Sequence, residues 1–280
     1  MLEGLIWFLL VIVTVFFLYI IENYIRSRLP GNNKAWFFQP VYRLIKLIGK
    51  KDLNEGCFCR WYSVASCWFA CCALYFTVMG SHLVLVYASI VMMELFMLAG
   101  AWNHGEAFAA MAAQRGIVRL LICGFSGLVC AASVFHVTGS LNLKIISEYS
   151  GGQGLLLQLP LTFLAMLTVM LTRGNLLFFD FNIAGKGMGF VDSPLAVPYG
   201  GWSLALVQLT HWVEIGVWVK LVSVFLPFNP WVSFAISAFG YFAFLLLDGF
   251  VSKAQWKKVA RNALIWGGGM SVMNFIWLVL

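Results

Sequence analysis

The sequence contains few charged residues, and this scarcity already excludes most soluble proteins. Only 10% of its 280 residues are charged, whereas 62% are hydrophobic, and the mean hydropathy is +0.89. A soluble protein of this length does not need so apolar a composition. The composition therefore indicates a protein that crosses a membrane several times.

Patterns that hold redox cofactors or metals are also missing. There is no haem-attachment sequence, no four-cysteine cluster and no dinucleotide fingerprint. Among the seven cysteines, only Cys57 and Cys59 fall in a predicted loop, and two thiols cannot complete a zinc or iron–sulfur site. The glycine-rich stretch 185–189 follows a predicted membrane helix and not a strand, so it does not indicate a nucleotide site. We expect no catalytic residue, no metal and no cofactor in this chain.

What the sequence does contain is a series of apolar segments. Each is about 20 residues long, which is enough for a helix to cross a hydrocarbon core of about 30 Å. They predict an all-α bundle of eight transmembrane helices that forms one domain over residues 1–280. No internal repeat is present, which argues against a self-contained transporter or channel. The predicted spans are 2–21, 61–79, 81–101, 117–137, 154–172, 203–226, 230–250 and 262–280.

Lysine and arginine are concentrated on one side of the predicted bundle. Of the 18 such residues, sixteen fall in the odd-numbered connections, and this count includes Arg119 and Arg173. Only Lys144 lies on the other side. The positive-inside rule then puts loops 22–60 and 173–202 in the cytoplasm and both termini outside. The net charge of +7 follows from this bias, so the chain needs no nucleic-acid partner.

The loop 22–60 combines two kinds of residue. Aromatic and aliphatic side chains are interleaved with lysine and arginine between Trp36 and Lys50. Such an amphipathic segment either lies against lipid in the plane of the membrane interface or packs on a partner protein. Because both long loops are predicted to be cytoplasmic, we expect the function of the chain on that side of the membrane.

Ionisable residues inside predicted spans indicate a structural or functional role, because inserting a charged side chain into the membrane costs about 2.5–3.5 kcal/mol. Glu94 and Glu214 lie inside spans, and His211 precedes Glu214 by one helical turn. A desolvated carboxyl group and an imidazole can exchange protons near neutral pH, which indicates a proton or ion relay. The alternative is a structural hydrogen bond to a neighbouring helix or subunit. Asp180 and Asp248, at the ends of two spans, complete the relay candidates.

The first loop carries the most specific pattern. Gln39-Pro40 is followed by Lys46-Leu47, Lys50 and Asp52. This arrangement resembles the first cytoplasmic loop of complex I subunit 1. The same family includes the membrane-anchor subunits of group 4 energy-converting NiFe hydrogenases, such as hydrogenase-4 component C, and of formate hydrogenlyase. Shorter matches to the family are Asn103, Gly105, Phe108, Ala110, Arg115, Phe179-Asp180, Pro194-Leu195, Tyr199, Gly201, Asp248 and Lys253.

The resemblance implies a membrane subunit of a multi-subunit oxidoreductase of the hydrogenase type, in the cell inner membrane. It implies a peripheral module of hydrogenase-like large and small iron–sulfur subunits, which hold the NiFe and iron–sulfur centres. It also implies antiporter-like subunits beside the chain in the lipid. The alternatives are a non-pumping scaffold for a soluble enzyme and a quinone-site subunit of a complex I relative. Partner docking is assigned to Gln39, Arg43, Lys46, Lys50 and Arg115.

The chain departs from the family pattern at several acids. Gly116 stands where the family has an acid after the arginine, Gly124 falls near an acid of the fourth span, and Arg43 replaces an acid in the first loop. The run 181–187, acidic in the family, contains no Asp or Glu here. In the family these acids form a funnel between the redox module and the path of the ions. The resemblance therefore implies anchoring more firmly than pumping.

Overall fold

The fold consists of helices and the turns between them. The computed structural model describes residues 2–28, 36–50, 58–103, 105–149, 154–181, 194–196, 198–251 and 255–280. These residues contain no strand, only an isolated antiparallel bridge between His82 and Asn142. The described helices are α1 Leu2–Arg28, α2 Gln39–Ile48, α3 Cys59–Met79, α4 Leu83–Asn103, α5 Ala107–Thr138, α6 Leu143–Glu148, α7 Gly154–Gln158, α8 Pro160–Arg173, α9 Gly201–Ser223, α10 Pro230–Asp248, α11 Trp256–Ala263 and α12 Met270–Val279.

Proline and glycine set several helix ends. Proline occupies the first turn of α2, α8 and α10, where its missing N–H costs no helical hydrogen bond. Gly80 and Gly139 follow α3 and α5 with φ of 69° and 68°, a left-handed backbone that favours glycine. The Gly80 N–H donates to the carbonyl of Phe76 and the Gly139 N–H to that of Phe135, which closes both helices.

Within the described ranges, six helices are long and apolar enough to cross a membrane. They are α3, α4, α5, α9, α10 and the continuous helix Trp256–Val279, whose middle, Leu264–Gly269, is a π-helical segment. The predicted all-α membrane fold is confirmed. The other two predicted spans correspond to shorter apolar helices, Val11–Ile25 within α1 and Pro160–Arg173. Eight spans and external termini therefore stay predictions.

The fifth predicted span, 154–172, is divided into two helices. α7 ends at Gln158, and α8 begins at Pro160. Leu159 between them has φ −126° and ψ 54°, outside the helical region. The proline ring disfavours helical backbone at the residue before it, so Pro160 explains the break. At 14 residues, α8 is about 21 Å long, less than a full hydrocarbon core.

α9 lies at the centre of the bundle. It contacts α1, α2, α3, α4, α8 and α10, and it is the most buried of the six long apolar helices. Gly216 allows α1 to approach closely, because a Cβ built there would lie 2.2 Å from Cγ2 of Val15. α5 packs on the other side, against α4, α8 and α12. This arrangement places the polar residues of α9 inside the protein and not in lipid.

Candidate functional site

Four charged side chains are buried where α4, α5, α8 and α9 meet. Glu94 lies on α4, Arg119 on α5, Arg173 at the end of α8 and Glu214 on α9. Their exposed fractions are 0%, 9%, 3% and 8%. Charged groups are almost never buried this deeply without partners. The contacts among these four residues, called the charge cluster below, therefore define the candidate site.

The carboxylate of Glu94 is held by two arginines. Arg119 donates from Nε and Nη2 to Oε1 of Glu94 at 3.1 and 2.8 Å. Nη1 of Arg173 forms an ion pair with Oε2 of the same carboxylate. The same Nη1 atom lies 3.8 Å from Oε1 of Glu214. Arg173 therefore joins two carboxylates that come from different helices.

Glu214 has two further neighbours on its own helix. Nδ1 of His211 lies 3.8 Å from Oε2 of Glu214, and Nε1 of Trp218 donates to Oε1 at 3.4 Å. The Arg173 guanidinium lies 5.9 Å from the centroid of the Trp218 ring, within the range of a cation–π interaction. Residues three or four apart share a face of a helix, so the spacing along α9 brings these groups together.

The formal charges of the cluster balance. Arginine keeps its proton in proteins, so only the two carboxyl groups and His211 can take up or release one. Removing one member would leave an unpaired buried charge, which is the costly state. A proton or cation that reaches one carboxylate weakens its hold on Arg173 and makes the guanidinium available to the other.

Comparison with known proteins decides the family. The family model for NADH dehydrogenase matches residues 2–279. The chain belongs to the complex I subunit 1 family. One solved chain, from the structure of the membrane-bound sulfane sulfur reductase (MBS), an archaeal respiratory membrane complex, has the same fold. It aligns with a TM-score of 0.78 and 20% sequence identity over 99% of this chain and 98% of that chain. None of the curated protein sequences matches the chain.

Membership of the complex I subunit 1 family confirms the main functional prediction. The chain is an integral membrane subunit of a complex-I-like oxidoreductase. Three predicted relay residues of this subunit meet in one place, since Arg173 links Glu94 to Glu214 and His211 contacts Glu214. Their role in a relay stays a prediction.

The two arginines of the cluster are absent from the predicted site. The charge count placed Arg119 and Arg173 in cytoplasmic connections, and this placement is wrong, because both side chains are buried in the bundle. α5 begins ten residues before the predicted span, at Ala107, so Arg119 lies well inside the helix. The predicted span 117–137 already contained Arg119, and this is the sequence signal that the residue belongs to a membrane helix and not to a connection.

Asp180 and Asp248 are buried but lie outside the charge cluster. Oδ1 of Asp248 accepts the backbone N–H of Leu177 at 2.6 Å. Oδ1 of Asn175 accepts from Nη1 of Arg119 at 3.3 Å. Asn175 and Leu177 both have positive φ, 50° and 56°, which is unusual for residues other than glycine. The segment after α8 is thus held between the charge cluster and the end of α10.

The predicted docking residues lie mostly on α2, which packs on α1 and α9. Gln39, Lys46 and Lys50 are exposed, and Arg43 is half-buried. Arg115 lies on α5, where its guanidinium is 5.3 Å from the centroid of the Trp256 ring. Asp52, Cys57, Lys253 and the glycine-rich stretch 185–189, all discussed from the sequence, lie outside the described residues.

Packing explains one departure from the family pattern. A Cβ built on Gly116 would lie 2.3 Å from Cδ2 of Leu98 on α4, so the position of the family's acid has no room for a side chain. At Gly124 a Cβ would meet no described atom within 4 Å. A side chain at position 116 would therefore meet α4, whereas one at position 124 would meet no described atom.

This difference predicts opposite effects of the same substitution. Gly116→Ala is expected to lower the free energy of unfolding by about 1–3 kcal/mol, because the buried Leu98 side chain must move to make room. Gly124→Ala is the matched control and is expected to be neutral or to stabilise α5 by up to about 1 kcal/mol. Thermal unfolding midpoints in detergent measure both. Equal midpoints for the two variants would contradict the close packing at Gly116.

Proposed function

We propose that the chain anchors the peripheral module of a hydrogenase-type complex in the cell inner membrane and couples electron transfer in that module to proton or sodium movement. The observation that carries the coupling is the contact of Arg173 with both Glu94 and Glu214. A single guanidinium that serves two buried carboxylates responds to the protonation of either. The charge cluster is thus suited to pass an ion between α4 and α9.

The anchoring part of the proposal rests on α2. Its exposed face carries Gln39 and Lys46, the exposed Lys50 follows its last turn, and α2 also packs on the helices α1 and α9. Hydrogenase-like large and small iron–sulfur subunits are the proposed partners at this surface, and they hold the NiFe and iron–sulfur centres. Antiporter-like subunits are the proposed neighbours in the lipid. The chain itself binds no cofactor and supplies the path of the ion.

Substitution of Glu214 by Gln tests the coupling. The change keeps the volume of the side chain but removes its charge and its titration. The assembled complex in vesicles is expected to keep electron transfer to an artificial acceptor and to lose most of the ions moved per electron. Acidification of the vesicle lumen and acceptor reduction are measured together.

Glu148→Gln is the matched control, because Glu148 is exposed on α6 and far in sequence from the cluster. This control is expected to change neither electron transfer to the acceptor nor the number of ions moved per electron. An unchanged ratio of ions to electrons in Glu214→Gln would rule out the relay. Such a result would favour the second candidate function, a non-pumping scaffold, which the balanced charges of the cluster and the absence of an acid at Gly116 also favour.

The proposed orientation is tested by labelling single cysteines. Lys46→Cys on α2 and Lys144→Cys on α6 are both exposed positions, predicted on opposite sides of the membrane. In a background without native cysteines, a maleimide that cannot cross membranes is expected to label Lys144→Cys from outside intact cells. Lys46→Cys should react only after the cells are opened. The reverse pattern would invert the topology and place α2 outside.

A further inference from the structure

A second group of buried polar side chains lies between α1, α9 and α10. Glu22 is 2% exposed, and its Oε2 accepts a hydrogen bond from the Tyr241 hydroxyl at 3.0 Å. Tyr19 lies one turn before Glu22 on α1 and is also buried. The sequence placed Glu22 at the start of a cytoplasmic loop, whereas α1 continues to Arg28 and keeps this carboxylate inside the protein.

The phenol of Tyr19 meets two side chains of α9. Nε2 of Gln208 donates to its oxygen at 3.3 Å. The Trp212 ring packs on the Tyr19 ring with centroids 4.2 Å apart. Gln208 and Trp212 are 2% and 4% exposed. α1 and α9 therefore bring buried polar side chains together around the Tyr19 hydroxyl.

Two buried polar atoms near Tyr19 lack a hydrogen-bond partner among the described residues. Within the described part of the chain, neither Oε1 of Gln208 nor Nε1 of Trp212 forms a hydrogen bond. Turning the amide of Gln208 over does not help, because one of its two polar atoms is left unsatisfied in either orientation. A buried unsatisfied group costs about 1–3 kcal/mol, so two of them on one face of α9 need an explanation.

The two atoms are complementary to a water molecule. Trp212 supplies a donor, Gln208 an acceptor, and Tyr19 a hydroxyl that accepts and donates. Internal waters make about three such hydrogen bonds and are retained where buried polar groups would otherwise be unpaired. We propose that Gln208, Trp212 and Tyr19 bind an internal water molecule, and that this water joins the Glu22 group to the His211–Glu214 pair.

The joining role follows from positions on α9 and rests on the proposed function. His211 lies three residues after Gln208 and three before Glu214, so it stands between the two on neighbouring faces of the helix. Its Nδ1 is 3.8 Å from Glu214. The water would extend the hydrogen-bonded path from the charge cluster past His211 to Tyr19 and Glu22. Glu22 becomes the cytoplasmic end of the relay.

Radiolytic labelling of the full-length protein in lipid nanodiscs detects the water directly. An X-ray pulse converts bound water to hydroxyl radical, which adds oxygen to the side chain beside it. Trp212 and Tyr19 are expected to be oxidised despite their burial. Tyr87 is the control, since it is equally buried and its hydroxyl donates to Sδ of Met166 beside an apolar cavity of about 20 Å³. Oxidation of Trp212 at or below the level of Tyr87 overturns the proposal.

Substitution of Gln208 by Leu removes the acceptor with little change in shape. Oxidation of Trp212 is expected to fall at least fivefold, and ions moved per electron should also fall. Undiminished oxidation of Trp212 would overturn the water site. Loss of oxidation with an unchanged ion ratio would overturn the joining role alone. If Gln208→Leu does not fold, the comparison of Trp212 oxidation with Tyr87 oxidation in the unchanged protein still tests the water site.

The water site and the proposed relay can fail separately. If Glu214→Gln leaves the number of ions moved per electron unchanged while Trp212 is oxidised, the relay is rejected and the water site is retained.

Discussion

Replacement of Arg173 by Met is expected to lower the free energy of unfolding by about 3–5 kcal/mol. Methionine fills much of the same space, but it leaves Glu214 without an arginine and Glu94 with only Arg119. An uncompensated buried carboxylate is among the most destabilising changes a protein can suffer. The thermal unfolding midpoint and the yield of folded protein in detergent report the effect.

A compensating variant separates loss of charge balance from loss of packing. Arg173→Met combined with Glu214→Gln removes one base and one acid and leaves the Glu94–Arg119 pair balanced. This double variant is expected to recover most of the lost stability while remaining inactive in ion movement. If it is as unstable as Arg173→Met alone, the damage comes from packing and not from charge. A single variant as stable as the unchanged protein would contradict the ion pairs themselves.

Charge reversal on α2 is expected to release the soluble partner. Arg43→Glu together with Lys46→Glu changes the local charge by four units and sets like charges against an acidic partner surface, which costs several kcal/mol. The affinity of the partner for the membrane subunit should fall by more than about tenfold, which is a loss of more than about 1.4 kcal/mol in binding free energy. Co-purification in gentle detergent and quantification of each subunit measure this loss.

Two controls accompany this experiment. Lys144→Glu reverses a charge on α6, predicted to lie on the opposite side of the membrane, and should leave the partner bound. The unfolding midpoint of Lys46→Glu alone should stay near that of the unchanged protein, because the Lys46 side chain is exposed. Stoichiometric association after both reversals would exclude α2 as the docking surface and leave its aromatic residues to the lipid.

The two experiments examine parts of the molecule that are connected through α9. α9 packs on α2 at the proposed docking surface and carries Glu214 in the charge cluster. A partner that shifts α2 would therefore act on the helix that presents Glu214, His211 and Gln208. Loss of the partner without loss of stability, and loss of coupling without loss of the partner, are the separate results this arrangement predicts.

The membrane fold could be predicted from the sequence because hydropathy belongs to each segment alone. Six of the eight predicted spans coincide with long apolar helices, to within a few residues except at the start of α5 and of the last helix. The pattern around Gln39-Pro40 and Lys46-Leu47 was enough to indicate the family, since it depends on neighbouring residues. The break at Leu159 could also have been predicted from the sequence, because Pro160 disfavours helical backbone at the residue before it.

The charge cluster could be predicted only in part. Glu94, His211 and Glu214 stood out because each is an ionisable residue within an apolar segment. Arg119 and Arg173 were counted as loop residues, because a cation at the end of a predicted span looks the same as one just beyond it. Whether the side chain of such a residue is buried depends on whether a neighbouring helix provides a partner of opposite charge. Here that partner is the carboxylate of Glu94.

The sequence by itself determined that this chain is an all-α membrane protein of the complex I subunit 1 family. The tertiary structure decided which of its few charges meet. Residues 94, 119, 173 and 214 lie on four helices, and an ion pair between helices depends on packing that no single segment encodes. The same holds for Glu22, Gln208 and Trp212, whose burial depends on the packing of α1 against α9 and α10.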